Sequence, residues 1–274
     1  VIALGWWSCG GAPPLPEAPD LLLLVLDDVG VDKVSAYGDP EAPPTPTLDG
    51  LAARGVRFRH AWALPSCSPT RAALLTGRFG RRMGIGEWMH TATNTWGLPD
   101  EEETLPERLR RAPVPYASAL AGKWHLSARG EPGAADAPRR HGFDHHRGSF
   151  ANLDAGLVVP PPRGFTRWER LVDGVPAEET TYATTSTIDD ALALARALPH
   201  PWLLVVAPNA PHAPLHAPPG AEDPGTERGR YDAALRALDA ELGRLLGALD
   251  PARTVVIAVG DNGTPAHARA RPGP

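Results

Sequence analysis

With 274 residues, 42% of them hydrophobic and 22% charged, the chain can bury a substantial core, which excludes a wholly disordered protein. Its 32 acidic and 27 basic residues are spread along the sequence, so the formal net charge of -5 hides no basic stripe for a nucleic-acid backbone. Two cysteines, Cys9 and Cys67, are too few for a disulfide framework and lack the paired spacing of a structural zinc site.

Residues 1–7 are apolar but far too short a run to span a bilayer. Ser8-Cys9-Gly10 resembles the cleavage region of a bacterial lipoprotein signal, with the Pro-rich stretch 11–19 as a tether; a frayed terminus is the plainer reading, and both stay open. On the first reading residues 1–20 are a signal remnant and linker, Cys9 is a lipid anchor, and the protein works in the periplasm or elsewhere outside the cytoplasm. Residues 21–26 form a continuous apolar run with Asp20 before it and Asp27-Asp28 after it, which predicts a buried central strand. Residues 116–121, 202–207 and 254–259 repeat that character. Helical spacing is clearest over 231–249, where Tyr231, Leu235, Leu238, Leu242, Leu245 and Leu249 share a face, and a second helix is predicted over 188–198. The Pro-rich stretches 159–162 and 214–224 read as surface loops.

Strands alternating with helices predict an α/β layered domain with a largely parallel sheet, whose polar sites collect beyond the carboxyl ends of the strands. Four strands obey that rule: Asp27 and Asp28 follow the first, Lys123 and His125 the second, His212 the third, Asp261 and Asn262 the fourth. Three carboxylates and an amide without a Cys/His cluster suit a hard divalent cation, Ca²⁺ before Mg²⁺. Asp-Asp or Asp-Asn-Gly alone would be read as a turn or helix cap; two such motifs at two strand ends argue for a site. In Ser66-Cys67-Ser68-Pro69-Thr70-Arg71, Pro69 fits a helix's first turn and Gly77 its end. Cys67 then lies at a helix N-terminus, where the dipole and Arg71 favour negative charge, as a thiolate or a bound oxyanion.

Cys67-Ser68-Pro69-Thr70-Arg71 followed by Leu75-Thr76-Gly77 closely resembles the signature of the sulfatase family within the alkaline-phosphatase superfamily. Leu-Asp-Asp-Val-Gly at 26–30, Gly-Lys-Trp-His-Leu at 122–126, His-Gly-Phe-Asp at 141–144, Ala-Pro-His-Ala-Pro at 210–214 and Gly-Asp-Asn-Gly at 260–263 support it in order. The resemblance implies an alkaline-phosphatase-like catalytic domain over 21–263 that hydrolyses sulfate esters. It implies that a formylglycine-generating enzyme converts Cys67 to formylglycine, whose hydrated aldehyde attacks sulfur. Asp27, Asp28, Asp261 and Asn262 would hold Ca²⁺, with the converted Cys67 as a further ligand. Arg71 and Lys123 would add positive charge around the sulfate. His125 would serve the formylglycine hydroxyl in proton transfer, and His212 the departing alkoxide.

The resemblance departs after Asn262, where the family continues through a second active-site lysine and a C-terminal subdomain. Residues 264–274 carry neither a lysine nor strand periodicity, so the expectation is an irregular tail, a truncated domain with that subdomain absent, an unpaired sheet edge and impaired turnover. Two alternatives to sulfate-ester hydrolysis stay open: a phosphonate or phosphate ester hydrolase, and an inactive fragment that binds a metal or an anion.

Overall fold

The computed structural model describes residues 2–4, 18–89, 94, 96–161 and 163–269. The strands are β1 (Ile2–Leu4), β2 (Asp20–Leu26), β3 (Ala117–Gly122), β4 (His145–Gly148), β5 (Trp168–Val172), β6 (Val175–Glu179), β7 (Trp202–Ala207) and β8 (Thr254–Gly260). They form one sheet in the order β1-β8-β2-β7-β3-β4-β5-β6. The five strands from β8 to β4 run parallel, and β1, β5 and β6 join antiparallel at the two edges. The helices are α1 (Pro46–Arg54), α2 (Cys67–Thr76), α3 (Leu105–Arg110), α4 (Ala137–Arg140), α5 (Ala183–Ala197) and α6 (Glu227–Gly247).

The unbroken apolar runs follow from burial on both faces of the sheet. Leu22, Leu24 and Leu26 of β2 join one core with α1, α5 and α6, while Leu23 and Val25 join a second with Ala72 and Leu75 of α2. Alternate side chains on a strand point to opposite faces, so a strand with helices on both sides has no polar side to show. In α6, Tyr231, Leu235, Leu238, Leu242 and Leu245 are all fully buried. That helix begins earlier than its apolar face, because Thr226 caps it by accepting a hydrogen bond from the Gly229 amide.

Several elements differ from the sequence expectation. Helix α5 starts at Ala183, ahead of the expected 188, since the intervening Thr184, Ser186 and Thr187 are buried despite their polar character. Strands β5 and β6 form a hairpin whose turn, Asp173-Gly174, has positive φ at both residues (49° and 85°), the conformation an Asp-Gly pair favours. The outer edge of β8 carries β1. In residues 264–269 the Thr264 hydroxyl donates to Asp32 (2.6 Å) and accepts from the Gly30 amide (3.1 Å), a single 3-10 turn spans Ala266–Ala268, and Ala268 is buried. Cys9 and residues 270–274 lie outside the described residues. Among the described residues no helix is long and apolar enough to cross a membrane.

Register brings the functional strand ends level. Leu26 of β2 pairs with Gly260 of β8, and Gly122 of β3 with Ala207 of β7. Gly122 has φ 107°, and a Cβ there would lie 2.2 Å from the Ala207 carbonyl oxygen, so only glycine lets β3 reach this close before Lys123.

Candidate active site

The residues after these strand ends converge. Asp27, fully buried, accepts from Lys123 Nζ at 2.5 Å, and its Oδ2 lies 3.7 Å from the Arg71 guanidinium. Asp261, equally buried, accepts from Arg71 at 3.0 Å and, through Oδ1, from the Asp28 amide at 3.1 Å. Asn262 Nδ2 donates to Asp28 Oδ1 at 2.6 Å. Arg71 also donates to the Lys123 carbonyl at 3.0 Å, which ties helix α2 to the end of β3.

Asp28 and His125 both adopt left-handed backbone, with φ 63° and 60°. Such a conformation costs a non-glycine residue roughly 1–3 kcal/mol and persists only where the surroundings hold it. Here each residue is held at both backbone groups. The Asp28 amide donates to Asp261 and its carbonyl accepts from the Tyr231 hydroxyl at 2.7 Å. The His125 amide donates to the Phe150 carbonyl at 2.9 Å, and its carbonyl accepts from the Ser68 hydroxyl at 3.0 Å.

Cys67 is the first residue of α2, Pro69 lies in its first turn, and Gly77 caps it in the left-handed conformation. The Cys67 Sγ stands 3.3 Å from His125 Nδ1. His125 Nε2 faces the Met89 carbonyl at 3.2 Å, and a carbonyl only accepts, so Nε2 carries the hydrogen and Nδ1 turns its lone pair to Cys67. Burial, reinforced by Lys123 and Arg71, holds the His125 imidazole well below its ordinary range, leaving a neutral base. Of the two forms of negative charge expected at this helix end, a thiolate or a bound oxyanion, the thiolate is disfavoured. Burial of the Sγ raises the thiol's pKa, with the carboxylates of Asp27 and Asp261 adding to that, and this outweighs Lys123 and Arg71.

Burial opposes the charge of Asp27, but Lys123, His212 and Arg71 more than offset it and hold the carboxyl well below the usual range. Asp261 goes the other way, raised by burial and by its neighbour Asp27. Three carboxylates against Arg71 and Lys123 leave the cluster short of positive charge. The buried Asp27 Oδ1 and Asn262 Oδ1 have no hydrogen-bond partner. Unpartnered buried oxygens among carboxylates are what a divalent cation would satisfy, so this donor set fits Ca²⁺. His212, expected only as a proton carrier, also belongs here: one ligand atom each from Asp27, Asp28 and His212 lie within 4.8 Å of one another. Its Nε2 is 3.8 Å from Asp28 Oδ2, and its Nδ1 donates to the Ala213 carbonyl at 2.8 Å.

The other lysine, Lys33, is buried against Asp232 (2.7 Å) and the Tyr231 ring, beneath the site. His146 was not singled out by sequence. It is buried, with Nε2 donating to the Gly122 carbonyl at 3.2 Å, and burial lowers its pKa to about 4. In the unfolded chain the imidazole protonates near 6.5, whereas the native one stays neutral until about 4. Its contribution to stability is therefore complete above pH 6.5 and lost as pH falls toward 4, in total about 3 kcal/mol. His146→Gln keeps the donor without the titration. Urea midpoints at pH 7 and pH 4.5 should fall less in the variant than in the parent; equal falls would count against this origin of acid lability.

Fold and site together define an alkaline-phosphatase-like α/β domain with a buried Cys–His pair beside a cluster of carboxylate and amide oxygens. The sulfatase family model matches residues 19–273, and the chain belongs to the sulfatase family. N-acetylgalactosamine-6-sulfatase of Homo sapiens is 36% identical over 277 residues, covering 92% of this chain and 51% of its own length. Arylsulfatase A of Bos taurus is 34% identical over 272 residues, covering 89% and 52%. The crystal structure of Ps i-CgsB in complex with k-i-k-neocarrahexaose is similar with a TM-score of 0.74 at 25% identity, over 90% of this chain and 59% of that one. The chain spans about half the length of these enzyme relatives.

Proposed function

We propose that this site hydrolyses sulfate monoesters, with the residue at position 67 as nucleophile after a formylglycine-generating enzyme has oxidised Cys67. The observation that carries the reading is the buried contact of Cys67 Sγ with a neutral His125 Nδ1, beside carboxylate and amide oxygens that lack partners. Once converted, position 67 would supply the hydroxyl of a hydrated aldehyde as the nucleophile toward sulfur. Asp27, Asp28, Asp261 and Asn262 would hold Ca²⁺, which when bound would supply positive charge to the sulfate oxygens.

The chain's own residues do the rest. His125 Nδ1 takes and returns the proton of the hydroxyl at position 67, because its other nitrogen is committed to Met89. Arg71 and Lys123 hold Asp261 and Asp27 in place and add fixed positive charge beside the nucleophile. His212 has Nδ1–H committed to Ala213, so it is the Nε2–H of the imidazolium that delivers a proton to the departing alkoxide and leaves the neutral ring behind. The relatives' names span a sugar sulfate and aryl sulfates, and these residues address the sulfate group that such esters share.

The test compares hydrolysis of p-nitrophenyl sulfate, p-nitrophenyl phosphate and a phenylphosphonate monoester, each with and without Cys67→Ala. Sulfate release that disappears in the variant is expected. A preference for phosphorus esters would point to the phosphonate or phosphate reading, and turnover that survives Cys67→Ala would remove the nucleophile.

A further inference from the structure

Asn209 is 4% exposed and lies outside every motif that carries the reaction, yet its backbone carbonyl and both polar ends of its side chain are committed. Its carbonyl accepts from the His212 amide at 2.9 Å, closing the turn that presents His212. Its side chain does not bond within that turn, as an Asn at a turn's first position commonly does. It reaches sideways instead: Nδ2 donates to the Ala151 carbonyl at 3.0 Å, and Oδ1 lies 2.9 Å from the Ser149 hydroxyl. That hydroxyl is also 2.9 Å from the Ala151 carbonyl, but it has one hydrogen, and Asn209 already serves Ala151. The pairing that satisfies every group sends the Ser149 hydrogen to Asn209 Oδ1.

The segment on the far side of these bonds is the one that holds His125. The Ser149 carbonyl accepts from the Trp124 amide at 3.1 Å, and the Phe150 carbonyl from the His125 amide at 2.9 Å. Ser149, Phe150 and Ala151 are each at most 3% exposed, so the segment is packed on both sides. A short buried strap thus has His125 on one edge and, through Asn209, the His212 turn on the other.

We propose that Asn209 is a positioning residue that fixes His212 relative to His125 and Cys67 by clamping its turn to residues 149–151. This rests on the reading of His212 as the proton donor to the leaving group. An alkoxide of high basicity needs that proton, while a nitrophenolate leaves without it. Misplacing a catalytic group by about 1 Å can cost on the order of a hundredfold. Loss of the clamp should therefore act selectively on poor leaving groups.

Asn209→Leu keeps the volume and removes both side-chain hydrogen bonds; Ser149→Ala removes one of them and serves as the milder variant. The first readout is amide hydrogen exchange. Exchange at His212 should accelerate by about tenfold or more, while Leu204 and Val206 of β7 keep their protection. No change at His212, or an equal loss of protection across β7, would overturn the proposal. The second readout is the rate with an alkyl sulfate against p-nitrophenyl sulfate, with His212→Ala as reference. Both Asn209→Leu and His212→Ala should slow the alkyl sulfate about a hundredfold more than the aryl one. If His212→Ala shows that split and the Asn209 variant does not, the positioning role fails; if His212→Ala shows none, the reading of His212 fails.

Discussion

Asp27→Asn is expected to cost about 3–5 kcal/mol of stability, near the top of the range for a single substitution, because it leaves a buried ammonium without its counter-charge. Lys123 Nζ is fully buried and its ion pair is with Asp27 at 2.5 Å. Arg71 keeps Asp261 at 3.0 Å but loses its second carboxylate. For a domain of this size the loss corresponds to roughly 10 °C in melting temperature. The same substitution should end the response to Ca²⁺, which in the parent protein should add about 2–3 kcal/mol at a hundredfold excess over Kd. Thermal melts of parent and variant, each with Ca²⁺ and with a chelator, separate the two effects. A variant that melts with the parent, or that still gains from Ca²⁺, would show that Asp27 neither neutralises Lys123 nor contributes to a cation site.

His125→Asn should lower kcat by about a hundredfold to ten-thousandfold with little change in KM, provided Cys67 has been converted. The imidazole is placed by the Met89 carbonyl on one side and faces position 67 with its free lone pair on the other. Its environment keeps it neutral, so its Nδ1 lone pair is unblocked at neutral pH. Asn can restore the hydrogen bond to Met89 but offers no comparable base. Steady-state kinetics on p-nitrophenyl sulfate decide the matter: a loss confined to KM would assign His125 to binding.

The parts of this site that were legible in sequence are those where local pattern and chemistry coincide. The run 21–26 has no polar alternation because cores lie on both faces of β2, and the acids after it fall where parallel strands end. Cys67, Pro69 and Gly77 mark a helix start and stop that need no tertiary information. What was not legible depends on residues distant in the chain. A helix N-terminus and an arginine argued for negative charge at Cys67, as a thiolate or a bound oxyanion, but the depth of burial and the nearness of Asp27 and Asp261 disfavour the thiolate. The approach of His212 to Asp27 and Asp28 joins residues some 180 positions apart. Asn209 carried no signal, since its partners Ser149 and Ala151 lie in a segment without periodicity. Strand β4, of sequence His-His-Arg-Gly, reads as polar although it pairs with strands on both sides and His146 within it is buried. The hairpin of β5 and β6 was available from its Asp173-Gly174 turn, a signal that the absence of alternation in Val175–Glu179 obscured.

The nucleophile is the claim on which the rest depends, and peptide mass spectrometry tests it without requiring turnover. The protein is coexpressed with a formylglycine-generating enzyme, digested, and the peptide containing position 67 is analysed with and without an aldehyde-reactive label. On the proposed reading Cys67, Pro69 and Arg71 form the motif this enzyme acts on, so the peptide should carry an aldehyde that takes up the label. A free thiol persisting at Cys67 under conditions that convert a control sulfatase would contradict the assignment.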